Sequence, residues 1–305
     1  MVREVSAFEI FSTGYGSWVA YISYFLIIIS IVFLIIYIAN RQLVKAKSNL
    51  EKTVRERTSE IADQRRKLEV EKEKSDKLLR NILPFKIAQE LKLHGNVRPK
   101  YYDMVTVMFM DFKDFSKISQ FINPLNLLSE LNSSFGFFDE VCIRYNLEKI
   151  KTMGDSYMCA GGIPQPNNTN PFDAVLAAFE ITEFIKKAEK NQWLCELRIG
   201  IHTGEIIAGM IGKNKFAYDI WGETVNTASR LETMGEVNKI NISGETYNII
   251  KDYFVCTYRG RLPAKHSDEY QMYFVNRIKK EYAADDAGKK PNKKFLDTIK
   301  NMELA

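Results

Sequence analysis

Apolar residues crowd Trp18–Ala39, WVAYISYFLIIISIVFLIIYIA, a run of 22 residues without a charge, a glycine or a proline. A helix needs roughly 20 such residues to cross a bilayer core, so the run predicts one membrane span. A cleaved signal sequence fits less well. The run is too long, Arg3 is cancelled by Glu4, and Tyr37 would stand three residues before a cut after Ala39. A buried core helix fits less well still, because no other stretch of the chain is comparably apolar.

After the span the pattern turns to heptads. Residues 41–83 lack Gly and Pro and predict one long helix that ends at Pro84. With Val54, Ile61, Leu68, Ser75 and Ile82 at a, the d positions are Leu43, Leu50, Arg57, Gln64, Glu71 and Leu78. The a column is mostly apolar and the d column is polar at its centre, which predicts a parallel two-stranded coiled coil weakened in the middle. The alternative is a solvated helical spacer. Phe85–Leu93 follows as a short amphipathic helix closed by His94-Gly95.

From Pro99 the period changes again. Met104–Met110 predicts a buried strand and Pro124–Tyr145 a helix. Glu148–Thr152 and Ser156–Gly161 predict a hairpin turning at Met153-Gly154-Asp155. Pro171–Asn191 reads as a helix, Leu194–Thr203 and Glu205–Ile211 as two strands, and Gly222–Met234 as a helix. Short strands are expected at Lys239–Ile242, Phe254–Gly260 and Glu269–Val275. The order β-α-β-β-α-β predicts an α+β, ferredoxin-like domain with a C-terminal extension. The chain therefore divides into a short extracytoplasmic N-terminus (1–17), the span (18–39), a coiled-coil and linker helix (40–97), the βαββαβ domain (98–277) and a loose tail (278–305).

Charge changes the picture in one place. Residues 41–80 carry 13 Lys+Arg against 8 Asp+Glu, and the remainder is neutral at 30 against 30. A neutral remainder speaks against nucleic acid as a partner, since phosphate backbones need a basic face. Arg41, Lys45 and Lys47 directly after the span place the C-terminal side in the cytoplasm, against anionic lipid headgroups of the cell (inner) membrane. Cys142, Cys159, Cys195 and Cys256 lack CxxC spacing and read as reduced, chemically silent thiols.

Two carboxylates stand out. Asp111 ends the apolar strand in VMFMDFKDFS, where a turn into a helix gathers free amides for a phosphate and the acid can hold a cation. The bland role there is a helix N-cap, which Asp114 or Ser116 fills well. Asp155 sits in the hairpin turn of EKIKTMGDSYMCAGG, which in a ferredoxin-like sheet lies beside the end of the first strand. Paired there, the two acids suit two divalent cations of a phosphoryl-transfer site, although Gly-Asp is also an ordinary turn.

The segments MFMDFKDFS, EKIKTMGDSYMCAGG, RIGIHTGEIIAGMIG and YDIWGETVNTASRLE, in this order and spacing, resemble the class III nucleotide cyclases over roughly residues 98–277. SDKLLRNILPFKIAQELK resembles the linker that precedes such domains. The resemblance implies that Asp111, Asp155 and the carbonyl of Phe112 bind two divalent cations, Mg²⁺ or Mn²⁺. It implies that Lys151 and Asp219 read the purine, that Asn226 positions the ribose, and that Arg230 stabilises the pentavalent phosphorus. It further implies a homodimer with two shared sites, carboxylates from one chain and the other residues from its partner. Family members that use GTP carry Glu and Cys where this chain has Lys151 and Asp219. Lys offers only donors and Asp only acceptors, matching N1 and N6 of adenine, so the expected substrate is ATP. Two departures from the family pattern are Asp114, where a small residue is usual, and Lys265-His266-Ser267-Asp268 in place of a Lys-Gly-Lys-Gly stretch, with Lys265 left to reach the phosphates. The expected protein is a membrane-anchored adenylate cyclase, its stimulus supplied by an upstream sensor partner, the membrane or a region outside this chain. A guanylate cyclase and a catalytically silent nucleotide-binding partner are the alternatives. His202, in a strand after Ile201, reads as structural.

Overall fold

The computed structural model describes residues 7–188, 194, 196–212, 215–262 and 270–302. Its contacts divide the chain into a first unit up to Leu78 and a second from Leu79 onward.

The first unit is the body of helix α1 (Ala7–Arg80). It is long and apolar enough to cross a membrane: mean hydropathy reaches 2.8 in its most apolar window, and none of that window is buried by the chain itself. The a and d side chains Leu50, Val54, Ile61 and Leu68 are all more than half exposed. The helix stops at Arg80, so Ile82, expected at an a position, lies in the turn after it and is 72% exposed.

The second unit begins with α2 (Phe85–His94), stopped by Gly95 in the left-handed conformation (φ +71°) that frees a helix end to turn. Then come β1 (Lys100–Phe112), the single-turn α3 (Phe115–Ile118), α4 (Pro124–Arg144), β2 (Leu147–Met153), β3 (Ser156–Gly161) and α5 (Asn170–Ala188). They are followed by β4 (Leu197–Ile211), β5 (Ala217–Trp221), α6 (Glu223–Thr233), β6 (Ile240–Ser243), α7 (Gly244–Ile250), β7 (Phe254–Leu262) and β8 (Tyr270–Ile278). The sheet runs β2-β3-β1-β4-β6-β8-β7, with β5 paired to β4. Its β2-β3-β1-β4 part, antiparallel throughout, is the expected ferredoxin-like arrangement.

β1 is apolar at consecutive positions because both sheet faces are covered. Met108, Met110 and Phe112 point to the core shared with α4 and α5, while Val105, Val107 and Phe109 point to the core shared with α2 and α6. Two expectations change. Leu194–Thr203 and Glu205–Ile211 are not separate strands but one, β4, its pairing with β1 shifting between Tyr102 and Val105. Gly204 resembles a turn residue, but its missing side chain serves close packing: a Cβ there would lie 2.6 Å from Thr224 Oγ1. The tail expected to be loose is folded as far as Met302. A 3-10 turn (Lys280–Tyr282) leads to α8 (Lys293–Lys300), whose buried Phe295 packs edge-on against Phe172, Tyr253 and Phe254. Sparse apolar residues concealed this, because Phe295 and Ile299 are enough to seal one face of a two-turn helix.

Candidate active site

Three clusters carry the expected residues. The first lies at the C-terminal end of β1. Asp111 pairs in register with Arg198 of β4, whose Nη2 is 2.9 Å from Asp111 Oδ1. Gly154 takes φ +65° in the two-residue turn between β2 and β3, and this brings Asp155 to the same end of the sheet. Burial and the neighbouring Asp111 charge push the Asp155 carboxyl above its ordinary range, while amide hydrogen bonds from itself and Phe112 pull the other way. Asp111 and Asp155 are close enough for their charges to interact, as hard-oxygen groups of the kind that divalent cations take, and the Arg198 guanidinium lies on the Asp111 carboxylate. No group of three or more His, Cys, Asp or Glu clusters as a metal site among the described residues. Asp114 lies close enough to feel the Arg198 charge, but its own hydrogen-bond partner is a lysine. In the left-handed conformation at the head of α3, its Oδ1 accepts from Lys117 Nζ at 2.7 Å, which lowers its carboxyl. It makes no cap hydrogen bond there.

The second cluster is Lys151 of β2 and Asp219 of β5, joined by a hydrogen bond of 2.6 Å from Nζ to Oδ2. Asp219 Oδ1 also accepts from the Ile220 amide. The sequence separates these residues by 68 positions; the β4–β5 pairing, which sets Asp219 opposite Gly209, folds them together.

The third cluster is a face of α6. Asn226 donates to Glu223 at 3.2 Å, and Arg230 lies 3.9 Å from the same carboxylate, one helical turn from Asn226. No hydrogen bond or ion pair among the described residues joins Asn226 or Arg230 to Asp111, Asp155, Lys151 or Asp219 within the chain. Lys265, with His266, Ser267 and Asp268, lies outside the described residues, as does Cys195.

His202 is a satisfied core residue. Its Nδ1 lies 2.7 Å from Ser243 Oγ, and burial lowers its pKa to about 4, so the ring is neutral near pH 7. Cys142 and Cys159 are buried; half-buried Cys256 has its thiol pushed up to about 12 by burial. Sequence reasoning missed Arg198 and Glu232. Both stand inside quoted motifs, at the start of RIGIHTGE and the end of NTASRLE, but only the β1–β4 register and the α6 packing reveal what they touch. Arg198 Nε lies 2.9 Å from Glu232 Oε1, a charge contact not aligned as a hydrogen bond. Burial, then the Asp111 charge, raises the Glu232 carboxyl to about 7.

Residues 97–277 match the family described as "Adenylate and Guanylate cyclase catalytic domain", and residues 35–91 match "Heme NO binding associated". An adenylate cyclase of Mycobacterium bovis is 35% identical over 222 residues, covering 72% of this chain and 49% of that protein. Retinal guanylyl cyclase 2 of Rattus norvegicus is 34% identical over 242 residues, covering 77% of this chain and 21% of that protein. The chain thus spans about half, or about a fifth, of these relatives. Among solved structures, the adenylyl cyclase CyaB from P. aeruginosa aligns with a TM-score of 0.55 at 30% identity, covering 58% of this chain and 95% of that one.

Proposed function

The chain belongs to the class III nucleotide cyclase family, and from that membership we propose that it is an adenylate cyclase, converting ATP to 3′,5′-cyclic AMP and pyrophosphate. The observation that carries the choice of base is the Lys151–Asp219 contact at 2.6 Å. A donor-only and an acceptor-only side chain this close together can serve a single base edge. Adenine offers N1 as acceptor and N6 as donor; guanine at the same positions offers the reverse and would set its O6 against the Asp219 carboxylate. To admit the base, the pair exchanges its mutual contact for contacts to the purine.

In the reaction, the ribose 3′-oxygen attacks the α-phosphorus and the β-phosphate oxygen leaves. Asp111, Asp155 and the Phe112 carbonyl would hold divalent cations, Mg²⁺ or Mn²⁺, which when bound supply charge neutralisation of the triphosphate and acidify the 3′-hydroxyl. Asn226 orients the sugar so that attack is in line, and Arg230 places positive charge on the non-bridging oxygens as they gain charge. No side chain is assigned as general base; the 3′-hydroxyl gives its proton to water or to the substrate's own phosphate as the bond to the α-phosphorus forms and pyrophosphate leaves. Asn226 and Arg230 touch neither carboxylate within one chain, which supports a homodimer whose sites combine Asp111 and Asp155 of one protomer with Lys151, Asp219, Asn226 and Arg230 of its partner. The apolar stretch of α1 anchors the chain in the cell membrane, with Arg41, Lys45 and Lys47 keeping the catalytic unit cytoplasmic.

The test is to incubate the purified chain with ATP or GTP plus Mg²⁺ or Mn²⁺ and to quantify cyclic products. Cyclic AMP as the dominant product is expected. Dominant cyclic GMP overturns the choice of base, and no cyclic product with either nucleotide overturns catalysis.

A further inference from the structure

Arg198 stands between two acids. One nitrogen is 2.9 Å from Asp111 Oδ1 and another 2.9 Å from Glu232 Oε1, and the three side chains are 24%, 21% and 7% exposed. The arrangement depends on close packing of α6 against β4. Gly200, two residues beyond Arg198 and so on the same face of the strand, has the backbone of Glu232 and Ala228 directly over it. A Cβ at Gly200 would lie 2.1 Å from the Glu232 amide nitrogen. Glu232 is thereby fixed above the guanidinium, its other oxygen accepting from Thr233 Oγ1 at 3.2 Å.

The contacts differ in quality. Arg198 Nη2 donates a proper hydrogen bond to Asp111, whereas the Nε–Glu232 contact is close but misaligned. A guanidinium released from Asp111 has a buried carboxylate waiting, with which it can align fully. We propose that Glu232 is a positioning residue of the metal site: it holds Arg198 as a stand-in cation on Asp111 and receives the guanidinium when a divalent cation takes that carboxylate. The inference rests on the metal-site reading of Asp111 and Asp155 given above. It also gives α6 a double duty, since the helix that presents Arg230 and Asn226 also sets the charge balance at Asp111.

The test is Mn²⁺ binding to the full-length chain in detergent without nucleotide, read from the free-ion signal in electron paramagnetic resonance. Glu232→Gln should weaken binding about tenfold, the scale on which partners of a metal's ligands act, because the guanidinium loses its alternative carboxylate. Arg198→Met should tighten binding by removing the competing charge. In the Arg198→Met background, Glu232→Gln should lose its weakening effect, because that effect acts through Arg198. Parental Mn²⁺ affinity in Glu232→Gln overturns the proposal, as does an equal loss in both backgrounds. Should Arg198→Met fail to fold, as judged by circular dichroism, the double variant carries the test. It must bind more tightly than the parental chain, while Glu232→Gln binds less tightly; shifts in the same direction overturn the idea. A separate arm, Asp111→Asn with Asp155→Asn, tests the underlying reading. Undiminished Mn²⁺ binding there means these acids hold no metal, whatever Glu232 does.

Discussion

At the scale of single residues, the proposed choice of base rests on the direction of two hydrogen bonds. Lys151→Glu with Asp219→Cys inverts the donor and acceptor pattern, so the double variant should lose ATP cyclisation by at least about tenfold, the loss of roughly one well-made polar contact, and gain activity on GTP. Initial rates with each nucleotide measure this; parental ATP rates would mean that the pair does not read the base. The sequence singles out Lys151 and Asp219 only through the family resemblance of the motifs that carry them; they lie inside β2 and β5, where local periodicity marks neither. Arg198 and Glu232 were not legible as partners. Their contact joins β4 to α6 across 34 residues, and no local periodicity encodes which side chains meet when a helix settles over Gly200.

At the scale of elements, α1 leaves its apolar a positions bare, while Arg57 at d spends its charge on Glu60 of the same helix at 2.9 Å. Three polar d positions, Arg57, Gln64 and Glu71, loosen the middle of a seam whose two ends are apolar. Arg57→Leu with Gln64→Leu should therefore raise the melting temperature of the dimeric helix and alter basal cyclase activity of the membrane-bound chain. A more stable dimer with unchanged activity would leave the segment a spacer. Element boundaries followed hydrophobic period closely where the period was long, as in α4 and the β2–β3 hairpin. They failed where a glycine carried two meanings. The two strands expected on either side of Gly204 are one, with the glycine inside β4 where α6 comes close. The five-residue β5 and the seven-residue α7 were too short to leave a periodic signal.

At the scale of the whole molecule, separate clusters in one chain make a quantitative prediction about two. Asp111→Ala and Arg230→Ala should each give a nearly inactive homodimer. A mixed dimer pairs the intact Asp111 of one chain with the intact Arg230 of the other, giving one sound site and one doubly defective site. With random exchange in an equal mixture, about half the dimers are mixed, so activity should recover to roughly a quarter of parental. Exchange confirmed by mass with activity still at background would mean that the site is not divided between chains.

The folded segment after β8 has a practical consequence. The recognised family segment ends at residue 277, but the aromatic wall formed by Phe172, Tyr253 and Phe254 is closed by Phe295, which lies beyond it. A fragment cut at 277 would carry that wall open to water, and filling it contributes about 3–5 kcal/mol on the scale of large aromatic truncations. Such a fragment should precipitate or melt many degrees below one that runs from Leu79 through Met302, as measured by scanning calorimetry and recovery in the soluble fraction. The folded unit of this chain is therefore longer than the family segment it contains.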